Sequence, residues 1–361
     1  MKDLKVLVAE DSSTTRRLLV EILESSPGLQ VVGEARTGKE AVALTHRLSP
    51  DVITLDIRMP EMDGLDATKR IMTECPTPIV IISSAVNLRD AEVSAHALRL
   101  GALWVLPKPS GPLDPGFSAA VRDIIDIVKA MAAVKLVKRR GIAVPTQFTT
   151  RSRPRTVKLA ASRRPVRAVA IAASTGGPGA VSELLSRLSV PFTAPVFLVQ
   201  HITAGFVHSL ATSLNNSSYL HVKVAEQNET PSAGIVYLAP DGLHMELADA
   251  KTIRVHDGEP VGGFRPAANR LFHSIADVFG NESLGVILTG MGQDGTDGLQ
   301  AIHHAHGHVI AQDEGSSVVF GMPKAAIDAG VVNEILDVKE IAGRVNDLVT
   351  NGYRKSEATG R

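Results

Sequence analysis

The chain has 361 residues, 44% of them hydrophobic, and its 38 basic and 38 acidic side chains give a formal net charge of zero. This length and apolar content exclude a fibrous or disordered protein and predict two or three domains with buried cores. The single cysteine, Cys75, excludes an internal disulfide and a cluster of zinc-binding thiolates, and the sequence shows neither a secretory signal nor a membrane-spanning stretch. We therefore expect a soluble, cytoplasmic protein without membrane insertion.

The charges are segregated along the chain. Residues 135–167 carry 11 basic and no acidic side chains, whereas residues 1–134 carry 15 and 18, and residues 168–361 carry 12 and 20. Lys, Arg, Thr, Ser and Pro dominate the basic segment, which has too little apolar surface to offset the entropy lost on ordering. We predict domains over residues 1–134 and 166–352, joined by a basic linker over 135–165.

Five short apolar runs alternate with helix-period segments in the first block. Alternation of this kind predicts a parallel sheet with helices on both faces, a doubly wound α/β domain of the flavodoxin-like type. The predicted strands are Leu4–Ala9, Val31–Val32, Val52–Leu55, Ile79–Ile82 and Ala102–Leu106.

Polar side chains stand at the ends of these predicted strands. Glu10 and Asp11 follow the first strand, Asp56 ends the third, Ser83 ends the fourth and Lys108 follows the fifth. The carboxyl ends of parallel strands share one edge, so the five side chains should converge there. Crowded carboxylates favour a hard divalent cation such as Mg²⁺, beside which one of them can attack a phosphoryl group. Taken singly, each acid would be an ordinary turn or cap residue.

Four motifs of this block resemble those of two-component receiver domains. They are AEDS at 9–12, DIRMPEMDG at 56–64, ISS at 82–84 and KP at 108–109. The resemblance covers about residues 3–130 and implies that Asp56 accepts phosphate from a sensor histidine kinase. It also implies that Glu10, Asp11, Asp56 and the carbonyl oxygen of Arg58 surround Mg²⁺.

Apolar runs alternate with helices again from residue 166 onward. This pattern predicts a second doubly wound parallel-sheet domain, of the Rossmann-like type. The predicted strands are Val166–Ala173, Val196–Val199, Ile235–Ala239, Val286–Leu288 and Val309–Ala311.

Three side chains with the chemistry of a serine hydrolase follow strands of this second block. Ser174 lies at a strand-to-helix turn that contains Gly176 and Gly177, His201 ends the next strand, and Asp294 follows the fourth. A serine hydroxyl becomes a nucleophile when an imidazole takes its proton and a carboxylate orients the ring, and N–H groups at a helix start can hold an oxyanion. Taken singly, the serine could be a helix cap, the histidine a packed residue and the aspartate a turn residue.

Six motifs of this block resemble the catalytic domain of the chemotaxis protein-glutamate methylesterases, which are receiver-linked serine esterases. They are AASTGG at 172–177, QHITAGF at 200–206, APDGLH at 239–244, FRPAANRLF at 264–272, LTGMGQDG at 288–295 and AQDEGSSVVFGMPKAA at 311–326. The resemblance implies Ser174 as nucleophile, His201 as base and Asp294 as the orienting acid. It also implies that Thr175 and Met291 help to form the oxyanion pocket.

The resemblance covers about residues 166–350 and implies an activity and its control. We expect a phosphorylation-activated hydrolase that demethylates glutamate methyl esters of methyl-accepting chemotaxis receptors, releases methanol, needs no cofactor for ester hydrolysis, and also deamidates receptor glutamines. The unphosphorylated receiver is expected to cover the catalytic groove. The stretch FRPAAN at 264–269 replaces a typical RPSVD, so the resemblance does not identify the residues that contact the substrate. Arg265 is a substrate-side candidate, with a surface ion pair as its alternative.

A basic run in the linker supports an alternative function, because clustered Lys and Arg side chains bind nucleic acid and receiver domains often belong to transcription regulators. No helix-turn-helix pattern and no interleaved aromatic residues accompany the run, so we favour a solvated linker and expect no nucleic-acid partner. The run comprises Lys138, Arg139, Arg140, Arg151, Arg153, Arg155, Arg163 and Arg164.

A cluster of histidines and a cluster of glycines are each explained better by local structure than by ligand binding. Four histidines could bind a transition metal, but neighbouring helix positions point apart, and a helix end entering a strand explains them. Four glycines could cradle a phosphate, but no Walker-type Lys-Ser/Thr pair follows them, which favours backbone adaptability near Asp294. The clusters are His303, His304, His306 and His308, and Gly290, Gly292, Gly295 and Gly298.

Overall fold

The structure, a computed structural model, describes residues 3–83, 96–132, 134 and 165–351. The predicted linker, apart from Pro165, and the whole basic run lie outside the described residues. Among the residues described, no helix has both the length and the apolar character that a bilayer crossing requires.

The first domain is a five-stranded parallel sheet between two layers of helices. Its strands lie in the order β2-β1-β3-β4-β5, which is the flavodoxin-like arrangement. The strands are β1 (Leu4–Ala9), β2 (Leu29–Ala35), β3 (Val52–Leu55), β4 (Ile79–Ser83) and β5 (Trp104–Pro107). The helices are α1 (Ser13–Glu24), α2 (Gly38–Leu48), α3 (Gly64–Glu74) and α4 (Phe117–Ala132), and residues 96–100 are also helical.

The apolar side chains of this domain form one core on each face of the sheet. Helices α2 and α3 pack on one face through side chains such as Val42 and Ile71. Helices α1 and α4 pack on the other face through Leu19 and Val128. Because both faces are covered, strands such as β3 are buried along their whole length, which explains their continuous apolar sequence.

The second domain contains a seven-stranded parallel sheet in the order β14-β13-β12-β6-β7-β9-β8 and a separate antiparallel hairpin, β10-β11. Its strands are β6 (Ala168–Ala173), β7 (Val196–Gln200), β8 (His221–Val224), β9 (Ile235–Leu238), β10 (His244–Asp249), β11 (Thr252–His256), β12 (Ser283–Ile287), β13 (His308–Gln312) and β14 (Glu334–Leu336). Its helices are α5 (Gly177–Leu185), α6 (Val207–Ser217), α7 (Ala268–Phe279), α8 (Thr296–His304), α9 (Met322–Asp328) and α10 (Val338–Asn351), with a 3₁₀ turn at Gly280–Glu282.

The doubly wound parallel-sheet architecture predicted for both blocks is confirmed, and all ten predicted strands are present with ends shifted by a few residues. The edge strands β8 and β14 and the hairpin β10-β11 were not predicted. The histidine cluster lies where α8 ends at His304 and β13 begins at His308, as its structural interpretation predicted.

The two domains contact each other along β5, an edge strand of the first sheet. Ile202 and Phe206 of the second domain pack on the apolar core that α2 and α3 cover. Val318 and Val319 pack on the core of the opposite face. The Thr203 hydroxyl donates a hydrogen bond of 2.5 Å to the backbone carbonyl oxygen of Val105 in β5. The edge strand is therefore held by two loops of the second domain.

Candidate active site

Ser174 occupies the tight turn between β6 and α5 and is only 5% exposed. Its backbone N–H donates to the carbonyl oxygen of Thr289 (3.0 Å), and its carbonyl oxygen accepts from the N–H of Gly177 (2.8 Å). Gly176 has a φ of +75°, and a Cβ there would lie 2.5 Å from Cβ of Val318. The turn therefore needs glycine for both its backbone conformation and its packing.

His201 follows β7 and lies beside Ser174, because β6 and β7 are neighbours. The backbone N–H of His201 donates to the carbonyl oxygen of Ala173 (2.9 Å), the residue before Ser174. The His201 ring stacks on Phe264 with 4.2 Å between ring centroids and 7° between planes. Ser174 and His201 also line the same small cavity. The sheet thus brings the candidate nucleophile and the candidate base together.

Asp294 is the hydrogen-bond partner of the His201 ring. Nε2 of His201 lies 3.0 Å from Oδ2 of Asp294, and both side chains are buried. With Nε2–H donating to the carboxylate, Nδ1 is left as the acceptor, and within the described residues this buried atom has no hydrogen-bond partner. The free nitrogen is the atom that can take a proton from a neighbouring hydroxyl.

The start of helix α7 holds the Asp294 carboxylate. Oδ2 accepts from the backbone N–H of Ala268 (2.6 Å), and Oδ1 accepts from that of Asn269 (3.1 Å). Unpaired N–H groups and the helix dipole at this end both favour a negative charge. Gly292 and Gly295, with φ of +87° and +96°, allow the loop to bring Asp294 to this position, in line with the adaptability predicted for the glycine cluster.

The predicted pocket residues lie around Ser174 at different depths. Thr175 is buried, and its carbonyl oxygen accepts from the Thr289 hydroxyl (3.0 Å). Met291 is 37% exposed and follows Gly290, where an added Cβ would lie 2.8 Å from Cβ of Ser174. Both predicted residues thus adjoin the serine.

Arg265 is exposed and makes a contact that neither sequence-based alternative predicted. Its Nη1 donates to the backbone carbonyl oxygens of Asp257 (2.9 Å) and Gly258 (3.2 Å). The guanidinium therefore fastens the loop after β11. A role in substrate contact stays a prediction.

Gln200 is a site residue that sequence reasoning missed. Its buried side chain donates from Nε2 to the carbonyl oxygens of Ser174 (2.8 Å) and His201 (2.9 Å), which links the two chain segments. The signal was available, since a glutamine ends an otherwise apolar strand immediately before His201.

The first domain contributes to the lining of a small cavity beside Ser174. Its volume is about 10 Å³, which is room for one water molecule at most. Leu98, Leu103, Trp104 and Val105 of the first domain contribute to its lining. The first domain therefore lies directly beside the candidate nucleophile.

The acids at the edge of the first sheet converge as predicted. Glu10, Asp11 and Asp56 each offer a carboxylate oxygen, and these oxygens lie within 4.8 Å of one another. Nζ of Lys108 lies 2.8 Å from Oδ2 of Asp56 and 3.0 Å from Oε1 of Glu10. Ser83 is buried at the end of β4, and its carbonyl oxygen accepts from the N–H of Lys108 (3.0 Å).

Burial and charge at this cluster shift two pKa values. Burial raises the pKa of Glu10 to about 7, and the neighbouring Asp56 adds to the rise, while Lys108 opposes it. Burial alone would lower the pKa of Lys108, but its hydrogen bonds to Asp56 and Glu10 outweigh that effect and raise it. A cluster made only of carboxylate oxygens fits a hard divalent cation such as Mg²⁺. Arg58, the fourth predicted contributor, lies two residues after Asp56.

The fold and these two sites define a class of protein: a phosphate-accepting receiver domain joined to a serine hydrolase. Residues 6–114 match the family model of the response regulator receiver domain, and residues 169–345 match the CheB methylesterase model.

Full-length relatives specify the family. A "protein-glutamate methylesterase/protein-glutamine glutaminase 4" of Myxococcus xanthus is 49% identical and covers 98% of both chains. A similarly named protein of Anaeromyxobacter dehalogenans is 43% identical over 95% of this chain and 98% of its own. The crystal structure of the Thermotoga maritima CheB methylesterase catalytic domain is 36% identical, with a TM-score of 0.50, and covers 51% of this chain and 98% of that one. The chain belongs to the protein-glutamate methylesterase/protein-glutamine glutaminase family, which favours a hydrolase over the transcription-regulator alternative.

Proposed function

We propose that this chain is a phosphorylation-activated serine hydrolase that removes methyl esters from glutamate side chains of methyl-accepting chemotaxis receptors. The observation that carries the proposal is the buried His201–Asp294 pair, held at a strand end next to Ser174. The relatives are named as methylesterases and glutaminases, which supports ester hydrolysis and also deamidation of receptor glutamines.

The first half of the reaction forms an acyl-enzyme. Oγ of Ser174 attacks the ester carbonyl carbon while Nδ1 of His201 accepts the hydroxyl proton. The carboxylate of Asp294 stabilises the imidazolium through Nε2. Thr175 and Met291 flank the serine and contribute the oxyanion pocket, where each donor is worth about a hundred- to a thousandfold in rate. The imidazolium then returns the proton to the leaving oxygen, and methanol departs.

The second half releases the receptor. A water molecule loses its proton to His201 and attacks the acyl carbonyl, so that the receptor carboxylate and free Ser174 are restored. A receptor glutamine would give the same acyl-enzyme with ammonia as the leaving group. The catalytic residues need no cofactor for either reaction.

Phosphorylation of Asp56 controls access to Ser174 in this proposal. A sensor histidine kinase supplies the phosphoryl group, and Glu10, Asp11, Asp56 and the carbonyl oxygen of Arg58 would hold Mg²⁺, which neutralises phosphoryl charge during transfer. The phosphoryl group adds roughly two negative charges beside Lys108 and Ser83. The contribution of the first domain to the lining of the cavity beside Ser174 supports inhibition by the unphosphorylated receiver. We place the enzyme in the cytoplasm, in keeping with a single cysteine.

Replacement of Ser174 by Ala tests the nucleophile. Methanol release from membranes that contain methylated receptors should be abolished, because no other group can form the acyl-enzyme. Ser186→Ala is the matched control, since Ser186 only donates to the carbonyl oxygen of Glu183 at the end of α5. Retained turnover in Ser174→Ala would remove the assignment.

Replacement of Asp56 by Asn tests the control by phosphorylation. Acetyl phosphate with Mg²⁺ should stimulate methanol release by the wild-type chain, and the variant should stay at the basal rate because it lacks the acceptor carboxylate. Equal stimulation of both proteins would show that phosphorylation acts elsewhere.

A further inference from the structure

The first turns of helices α7 and α8 meet beside Asp294. A side chain from the α8 segment caps the start of α7, and a side chain from α7 caps the start of α8. Asp294, just before α8, accepts hydrogen bonds from the first two backbone N–H groups of α7, those of Ala268 and Asn269. Asn269 in turn accepts at Oδ1 from the backbone N–H groups of Gly295 and Gly298, both at 3.0 Å. The two caps are reciprocal, and Asn269 takes part in both.

The loop that carries Asp294 needs external contacts to hold its position. Gly292 and Gly295 flank Asp294 with positive φ values, and glycines of this kind give a backbone with many accessible conformations. The hydrogen bond from the N–H of Gly295 to Oδ1 of Asn269 fixes the chain at the residue after Asp294. The backbone N–H of Asn269 fixes the carboxylate itself at Oδ1. Oδ2 remains directed at His201.

Asn269 is the last residue of FRPAAN, the stretch in which this chain departs from the typical RPSVD. Asn and Asp both present a side-chain oxygen at the same distance from the backbone, so either residue can accept from the two N–H groups at the start of α8. The departure therefore keeps the acceptor while it removes a charge close to Asp294.

We propose that Asn269 is a positioning residue for the reaction: it holds Asp294 against His201 and so keeps the base oriented toward Ser174. This inference rests on the proposed function only in requiring that Ser174, His201 and Asp294 act together. Misplacement of a reacting group by about 1 Å costs roughly a hundredfold in rate, so a loosened loop should have a measurable kinetic effect.

The test compares Asn269→Ala with Asn269→Asp in the full-length protein, treated with Mg²⁺ and acetyl phosphate. The first readout is the rate at which a fluorophosphonate probe modifies Ser174, followed by intact mass; Oγ forms a bond to phosphorus, fluoride leaves, and His201 takes the proton. The second readout is the ¹H NMR signal of the Nε2–H proton of His201, which reports the hydrogen bond to Asp294. Asn346→Ala is the matched control, because Asn346 also accepts two hydrogen bonds, from N–H and Oγ of Ser189, but far along the chain from the site.

Asn269→Ala should slow modification of Ser174 by about 10- to 100-fold and move the Nε2–H signal of His201 upfield, because a displaced carboxylate forms a weaker hydrogen bond with the ring. Asn269→Asp should stay close to the wild-type rate, and Asn346→Ala should change neither readout. Should the alanine variant not fold, Asn269→Leu, which keeps a similar volume but has no hydrogen-bond acceptor, gives the same comparison.

Two results would overturn the inference. One is a wild-type rate of modification together with a wild-type Nε2–H signal of His201 in Asn269→Ala; the other is an equal loss in the alanine and aspartate variants. The probe contains no glutamate ester, so a protein that reacts at Ser174 but does not demethylate receptors would contradict the proposed function and leave the role of Asn269 standing.

Discussion

His244 illustrates how a buried polar side chain in the second domain is held in one protonation state. The backbone N–H of Ala267 donates to its Nδ1 (3.3 Å), so the ring must carry its proton on Nε2, which donates to the carbonyl oxygen of Glu259 (3.0 Å). Burial lowers the pKa of His244, and nearby Arg270 and His256 act in the same direction. The ring is therefore neutral in the folded protein at pH values where an exposed histidine is protonated.

This arrangement predicts a pH-dependent contribution to stability. In the unfolded chain His244 takes up a proton below its ordinary pKa of about 6.5, whereas the folded chain resists protonation until a lower pH. The unfolded state binds more protons in that window, so the free energy of unfolding should fall as the pH drops through it. Urea unfolding at pH 7.5 and pH 5.5 measures the change.

His244→Asn should flatten that pH dependence, although it loses stability at pH 7.5 because packing and one hydrogen bond are weakened. The exposed His304 is the control, and His304→Asn should keep the wild-type dependence. A variant at position 244 with an unchanged pH dependence would show that the slope arises from other groups.

At the scale of elements, the sequence was informative wherever strands are buried on both faces. The central strand β6 is apolar and buried along its whole length, and such runs are recognised without knowledge of the fold. Parallel topology then places their carboxyl ends on one edge, which is why Ser174 and His201 could be predicted to meet.

The elements that were missed have a common physical cause. The edge strand β8 has the sequence HVKV with only Val222 buried, and β14 has three residues with Ile335 half exposed. The hairpin β10-β11 contains buried and exposed residues in each strand, so it has no continuous apolar run. The position of Gln200 at the end of an apolar run is visible in the sequence, but its contacts and those of Asn269 are not, because they depend on which backbone groups packing brings within reach of a side chain.

The contact between α7 and α8 predicts a steric effect at Gly298. A Cβ at this position would lie 2.6 Å from Cβ of Phe272 and 2.7 Å from the carbonyl oxygen of Asn269. Because one of these neighbours is backbone, the helices must move apart. Gly298→Ala should lower the free energy of unfolding by about 1–3 kcal/mol and reduce esterase activity through Asp294.

A second helical glycine provides the control for this prediction. Gly343 lies in α10 with nothing within 4 Å of an added Cβ and is exposed. Gly343→Ala should therefore raise the free energy of unfolding by about 0.5–1 kcal/mol. Urea unfolding distinguishes the two variants, and equal effects of the same sign would contradict the packing explanation.

At the scale of the whole molecule, a short route along two chain segments joins the proposed phosphate-accepting site to His201, the proposed catalytic base. Lys108 contacts Asp56 and lies three residues after Val105, whose carbonyl oxygen accepts from the Thr203 hydroxyl. Thr203 lies two residues after His201. A change in the position of β5 would therefore act directly on the loop beside the active site. The hydrogen bond between Thr203 and Val105 is well placed to stabilise the arrangement in which the two domains are in contact, the closed arrangement.

In the unphosphorylated protein, Thr203→Val is predicted to favour the open arrangement, in which the receiver no longer contacts the second domain. Valine keeps the volume of threonine but cannot donate to Val105. Loss of one hydrogen bond costs about 0.5–1.5 kcal/mol, so the ratio of open to closed molecules should rise about 2- to 10-fold. Methanol release by the unphosphorylated variant should increase by that factor, as long as the closed form predominates in the wild type.

The fully phosphorylated enzyme separates this effect from a change in chemistry. Once the receiver has left the groove, Thr203 has no partner on β5, so the variant and the wild type should release methanol at the same maximal rate. Thr212→Val is the matched control, because Thr212 donates only to the carbonyl oxygen of His208 on the exposed side of α6. An equal rise in both phosphorylation states would mean that position 203 acts on His201 itself. An unchanged basal rate would mean that the other contacts hold the receiver, namely the apolar contacts of Ile202, Phe206 and Val318 and the hydrogen bond from Arg99 to the carbonyl oxygen of Ser213.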